Sequence, residues 1–144
     1  MGFSNRWVLA DGTLNDQPII IRYRDKVQEE FESGQYAHCI QISWSAQETD
    51  PKTGYPSSEE LEKIDVFNQK LMAALEKEQH GLLVMVLMCD GVNQWILYCK
   101  DIDQVQKDLN TIPTDTGLYP IEVTSDEDEK WDIFTELRDA IKIQ

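Results

Sequence analysis

The sequence predicts an α+β fold, a mostly antiparallel sheet with amphipathic helices laid against it. Three observations predict it. Residues 82–89 carry no polar side chain except a thiol, then come Asp90-Gly91 and a second run, 92–99, rich in aromatic and branched residues. Two such runs around Asp-Gly form a β-hairpin, because a tight hairpin turn needs positive φ and Asp-Gly supplies it. The first run is apolar on both parities, so it is a central strand covered on both faces. Second, Leu61, Ile64, Phe67, Leu71 and Leu75 recur at three- and four-residue steps, the stripe of one long helix. Third, strand-like and helix-like stretches alternate along the chain in a definite order.

Taken in that order, residues 7–11 read as a short strand, 12–16 as turn chemistry and 17–24 as a second strand with Pro18 near its start. These two make an N-terminal hairpin. Val27 and Phe31 lie four apart in a short helical segment that Gly34 closes. Residues 36–46 are a third strand, with Tyr36, His38, Ile40, Ile42 and Trp44 on one parity and Cys39, Gln41, Ser43 and Ser45 on the other. Residues 47–56 form a loop around Asp50-Pro51 and Gly54. The main helix runs over 57–78, with Ser57 and Glu60 spaced as a capping box. After the central hairpin, Asp101 caps a shorter helix striped by Ile102, Val105, Leu109 and Ile112, and Pro113 stops it. Residues 118–124 are a last strand, at an edge because of Pro120. A terminal helix over 130–143 sets Trp131, Phe134, Leu137 and Ile141 on one side. From Tyr36 onward the order is strand, helix, strand, strand, helix, strand, the split β-α-β arrangement of ferredoxin-like folds. Right-handed crossovers place both helices of that core on one face. The chain thus divides into a hairpin extension over 1–35, a ferredoxin-like core over 36–124 and an acidic C-terminal helix over 125–144, all in one domain. The last helix is expected on an edge or on the open sheet face.

At 144 residues the chain is long enough for one domain that buries about two-thirds of its unfolded surface. Its formal net charge of −14 argues against direct binding of nucleic acid or anionic lipid. Three cysteines, Cys39, Cys89 and Cys99, are an odd number set in apolar runs, which reads as reduced thiols in a cytoplasmic protein. The Met-Gly start lacks the Ser or Thr at position 6 that myristoylation wants, since Arg6 stands there. No segment is long and apolar enough for a signal sequence or a membrane span.

One set of features goes further. Trp7, the strand over 36–44, Gly54-Tyr55-Pro56 before a helix, Trp95-Ile96-Leu97-Tyr98 after Asp-Gly, and Pro120-Ile121 followed by Asp128-Glu129-Lys130-Trp131 and Phe134 span nearly the whole chain. Together they resemble the bacterial domain-of-unknown-function-695 family. That family has no assigned reaction, so the resemblance implies a fold and no catalytic residues. A looser likeness is to proteins of the regulator of ribonuclease E activity B type, which are also small, acidic and ferredoxin-like and act by binding a ribonuclease. Fold does not carry function, and that likeness stands as analogy.

The chemistry-bearing residues favour structural roles. His38 lies mid-strand and His80 at a helix exit, and a metal or general-base role needs each near a second ligand or a nucleophile. His38 and Cys39 are neighbours on a strand and point to opposite faces. Asp126, Glu127, Asp128, Glu129 and Asp132 have no glycine for a calcium-binding turn and stand where a helix N-terminus favours negative charge. There is no Gly-rich phosphate loop and no nucleophile elbow. No cofactor or metal is expected, and no catalytic set. Of the aromatics, Trp95 is expected opposite Val86 and Tyr98 opposite Leu83, so that one of the two joins Cys39, Gln41 and Ser43 on the open sheet face. Three functional readings follow. The first is a non-catalytic acidic module that engages a basic protein through Asp126–Asp132 and regulates it, a nuclease or toxin inhibitor being the sharpest version. The second is a small-molecule site or enzyme on the open face, and the third a homodimer through sheet edges or faces.

Overall fold

The computed structural model describes residues 6–14, 16–25, 27–51, 55–76, 80–112, 121–140 and 142–143. The Met-Gly start, Gly54, the predicted helix end at 77–78, the helix stop and strand start predicted over 113–120, and Ile141 lie outside the described residues. The elements are β1 (Trp7–Leu14), β2 (Gln17–Arg24), α1 (Gln28–Glu32), β3 (His38–Ser45), α2 (Ser58–Glu76), β4 (Gly81–Cys89), β5 (Val92–Cys99), α3 (Ile102–Asn110), β6 (Ile121–Glu127), α4 (Asp132–Ala140) and β7 (Lys142–Ile143). The architecture is α+β. The strands form one antiparallel sheet in the order β6-β3-β5-β4-β2-β1-β7. Among the described residues no helix is long and apolar enough to cross a membrane.

β4 takes the middle of the sheet, and its residues from Gly81 to Leu87 are buried. This follows from a run apolar on both parities, which is stable only with both faces covered. Asp90 and Gly91 adopt φ of 51° and 77°, the paired positive values of the tight turn. Beyond the turn Val86 faces Trp95, but a bulge between Leu83 and Met85 shifts the rest, and Tyr98 faces Leu82 rather than Leu83. The extra residue lets Val84 and Met85 both enter the same core layer.

Two core layers result. On one face α2 and α3 cover the sheet, with Ile64, Phe67, Leu71, Leu75 and Val105 against Ile40, Ile42, Trp44, Trp95 and Leu97. Each such fully buried large side chain contributes about 2 kcal/mol by removal from water. Gly81 makes the close approach of helix exit and sheet feasible, because a Cβ there would lie 3.3 Å from Leu75 Cδ2. On the other face Trp131 and Phe134 cover Cys39, Ile96, Tyr98, Met85 and Leu82, with Val27, Phe31 and Leu137 packed around them. The last helix thus lies on the face opposite α2 and α3.

Five local expectations need correction. The α2 stripe begins at Ile64; Leu61 is exposed and Glu60 is buried in its place. The Glu60 carboxylate accepts from the backbone N–H of Gln47 at 2.8 Å and of Glu48 at 3.4 Å, so the loop before the helix needs it inside. Only half of the capping box forms: the Glu60 N–H donates to Ser57 Oγ at 3.3 Å, while the Ser57 N–H goes to the Glu48 carbonyl. Tyr36 precedes β3 and packs in the layer of Cys39, not of Ile40. β6 runs on to Glu127, since pairing with β3 holds residues 125–127, Asp126 and Glu127 among them, extended. Finally, Trp131 precedes α4 with a left-handed φ of 57°, and the chain after α4 pairs with β1 as a short strand. A non-glycine in that region costs about 1–2 kcal/mol. The indole offsets this: its N–H donates to the Tyr36 carbonyl at 2.9 Å, and its ring stacks on Tyr98 at 4.4 Å between centroids.

Candidate functional site: an acidic edge strand

β6 ends the sheet on one side. It pairs with β3, and no described strand pairs with its outer edge. Its residues from Glu122 to Glu127 are all exposed. Cross-strand register sets Glu122, Thr124 and Asp126 opposite Ser43, Gln41 and Cys39, and sets Ile121, Val123, Ser125 and Glu127 opposite Trp44, Ile42, Ile40 and His38. Acidic side chains therefore stand on both faces of one strand whose outer backbone meets no described strand. Glu129 in the following turn and Asp132 in the first turn of α4 are exposed as well.

Asp128 is set apart from the other four carboxylates of this acidic stretch. It is 8% exposed, and its carboxylate accepts from Tyr98 Oη at 2.7 Å, from the Asp132 N–H at 2.8 Å and from the Ile133 N–H at 2.9 Å. It thus serves the open N–H groups at the start of α4. The Tyr98 hydroxyl in turn accepts from the Phe134 N–H at 3.2 Å. Asp126, Glu127, Glu129 and Asp132 remain at the surface, while Asp128 anchors the helix.

Of the two aromatics expected on opposite faces, Tyr98 is the one on the face of Cys39, Gln41 and Ser43. Cys39 and Tyr98 share a face, beneath α4. Gln41 and Ser43 lie half-buried farther along that face, where Gln94 Nε2 donates to Ser43 Oγ at 3.4 Å. Trp95 lies on the opposite face under α2 and donates its indole N–H to Asn68 Oδ1 at 2.9 Å.

Thiol chemistry is suppressed. Burial pushes Cys39 up to about 12, with Asp128 and Asp126 adding to the shift against a hydrogen bond with Tyr98. Burial likewise pushes Cys99 up to about 11 and raises Cys89, where Asp90 adds. The Tyr98 phenol is raised by burial and by its bond to Asp128. At pH 8 a thiol of pKa 12 is about one part in ten thousand thiolate, against roughly one-quarter for a free thiol. Iodoacetamide at pH 8 is therefore expected to label half-buried Cys89 first, and Cys39 and Cys99 only after urea unfolding. Mass spectrometry of timed samples checks this, and fast native labelling of Cys39 would refute it.

One pair was invisible to sequence spacing. His80 Nδ1 lies 2.8 Å from Asp108 Oδ2, and Gln104 Nε2 donates to Asp108 Oδ1 at 3.3 Å. The pair ties the start of β4 to α3. Nearby, Lys70, Ala73 and Ala74 of α2 and Thr111 and Ile112 beyond α3 line an open groove of about 290 Å³. Among the described residues no group of three His, Cys, Asp or Glu side chains is placed to hold a metal ion.

No curated protein and no solved structure matches the chain. A family model does: it is described as a family of unknown function, DUF695, and it matches residues 5–137. With nearly the whole chain matched, the protein belongs to the DUF695 family.

Proposed function

We propose that this chain is a non-catalytic acidic interaction module that binds a basic protein partner along β6. The carrying observation is that β6 is an edge strand whose outer backbone meets no described strand, with Glu122, Asp126 and Glu127 exposed on it. Charges on an edge strand keep like edges apart, yet they favour an extended segment of opposite charge. Such a segment would add as an eighth strand, with its Lys or Arg side chains over the carboxylates and an apolar residue on Val123, which is 40% exposed. Glu129 and Asp132 extend the negative field past the end of the strand and would speed association. Inhibition of a nuclease or toxin is the sharpest form of this reading, since an acidic strand can occupy a groove built for phosphates.

The same reading takes the core as ferredoxin-like. What supports it is the order β6-β3-β5-β4, with α2 and α3 together on one face. The protonated, unpaired thiols support a reducing, cytoplasmic setting.

A synthetic peptide of alternating Lys and Val tests the docking mode. In amide NMR spectra its shifts are expected to concentrate on 121–127. Replacing Glu122, Asp126 and Glu127 by their amides is expected to weaken binding by roughly tenfold or more, and salt to weaken it further. Shifts scattered over the surface, or binding unchanged in the triple variant, would overturn the reading.

A further inference from the structure

Arg22 of β2 faces Leu9 of β1 on one side and Val86 of β4 on the other. By strand alternation Trp7, Leu9 and Asp11 of β1 share its face, as do Ile20 and Arg24 of β2. This is the face that α2 covers over the middle of the sheet, but the cover thins toward β1. Arg24 is 1% exposed and closed off by Glu76, whereas Arg22 is half-buried, Ile20 is 37% exposed and Leu9 is 73% exposed. The Trp7 ring centroid lies 5.6 Å from the Arg22 guanidinium carbon and 4.7 Å from that of Arg24.

No hydrogen bond or ion pair joins the Arg22 side chain to a described residue. Asp65 of α2 acts on it only through space, and the Asp65 carboxylate accepts from Gln69 Nε2 at 3.2 Å. Burial lowers the Arg22 pKa more than Asp65 raises it, so the cation has lost water without gaining a contact anion among the described residues. Beside it lie an aromatic ring and two exposed aliphatic side chains. A guanidinium offers a planar fork that a carboxylate meets with two parallel hydrogen bonds, and the pairing strengthens where water is partly excluded.

We propose that Arg22 anchors a binding shelf for a small monocarboxylate with an apolar body, the carboxylate on the guanidinium and the body along Trp7, Leu9 and Ile20. A single negative charge is the complement because Asp11 and Asp65 flank the shelf and the chain carries a net −14, which together repel phosphates and dicarboxylates. The shelf spans only a few side chains, which suits a small molecule. It lies at the far end of the sheet from β6 and is independent of the partner reading.

Titration of the nitrogen-15-labelled full chain with octanoate tests this, followed at the Trp7 indole N–H and the Arg22 Nε–H. Saturable shifts at both groups are expected, and 1-octanol at equal concentration is expected to give none. Arg22→Gln is expected to weaken binding by about tenfold or more, and Arg22→Lys to restore part of it. Leu9→Asp, at an exposed position that leaves the core intact, is expected to abolish the shifts even if the Arg22 variants unfold. Equal shifts with octanol, shifts confined to other residues, or octanoate binding undiminished in Arg22→Gln or Leu9→Asp would overturn the proposal.

Discussion

Asp128→Ala is expected to unfold the protein at a melting temperature roughly 10 °C below wild type, the counterpart of a loss of about 3 kcal/mol for a domain of this size. Two terms build that figure. Loss of a helix-capping carboxylate costs about 1 kcal/mol, and here it serves two N–H groups, those of Asp132 and Ile133. The buried Tyr98 hydroxyl loses the acceptor at 2.7 Å, and an orphaned buried donor costs about 1–3 kcal/mol. Loosening of α4 then weakens the Trp131 stack on Tyr98 and strains the left-handed backbone at Trp131 further. The neighbouring carboxylates behave differently: Asp126→Asn, Glu127→Gln and Glu129→Gln are expected to stay within about 0.5 kcal/mol of wild type, because each is exposed. A double-mutant cycle isolates the Tyr98 bond. In a Tyr98→Phe background the cost of Asp128→Ala should shrink by about 1 kcal/mol or more, since no hydroxyl is left without a partner. Urea unfolding of the four proteins gives the answer, and an Asp128→Ala cost no larger than that of Glu129→Gln would reject the anchor.

Asp128 also shows where sequence reading stops. Asp126, Glu127, Asp128, Glu129 and Asp132 look alike in a run of acidic residues. What singles out Asp128 is a tyrosine thirty residues earlier, brought close only by the pairing of β3 with β5 and β6. The same limit hides His80 and Asp108, which are 28 residues apart. Features set by local chemistry were legible. Asp90-Gly91 made the hairpin plain because positive φ is a property of those two residues. Asp101 made the start of α3 plain because its carboxylate accepts from the N–H of Asp103 at 2.9 Å, a contact within one turn. Features set by fit between elements were not legible. The bulge at Val84 depends on how β4 and β5 settle over two core layers. The exchange of Leu61 for Glu60 depends on a loop whose N–H groups need an acceptor. The acidic end of β6 looked unlike a strand because Asp and Glu are rare in strands, and pairing with β3 overrode that preference. Of the residues named for a site, the sequence grouped Asp128 with its exposed neighbours and set Trp95 and Tyr98 on opposite faces without saying which of them joins Cys39.

The pair formed by Arg24 and Glu76 carries the second large effect. Arg24 is 1% exposed, and its Nη2 donates to Glu76 Oε1 at 3.0 Å and Oε2 at 2.9 Å, while the Leu83 N–H donates to Oε2 at 3.3 Å. The Trp7 ring closes over the guanidinium. Two charges taken out of water in this way repay their desolvation only while both are present. Arg24→Met is therefore expected to cost about 3–5 kcal/mol, because it strands the Glu76 carboxylate, and Glu76→Leu a similar amount. The double variant Arg24→Met with Glu76→Leu is expected to lie within about 1–2 kcal/mol of wild type, since an apolar pair fills the same space without stranding a charge. The single variant has a pH signature. Burial already pushes the Glu76 carboxyl above its ordinary value against the pull of Arg24 and the Leu83 N–H. Without Arg24 that upward push is less opposed, so the folded state holds the proton more tightly than the unfolded one. Stability from a raised carboxyl is full below the unfolded value near pH 4.3 and is lost as pH rises through the folded value. The Arg24→Met deficit should accordingly shrink as pH falls from 7 toward 5, because the variant gains more over that range than wild type, whose Glu76 is raised less while Arg24 is present. Urea midpoints across that range decide it: a deficit that ignores pH, or a double variant no more stable than the singles, would mean that Arg24 acts through its packing on Trp7 rather than through its charge.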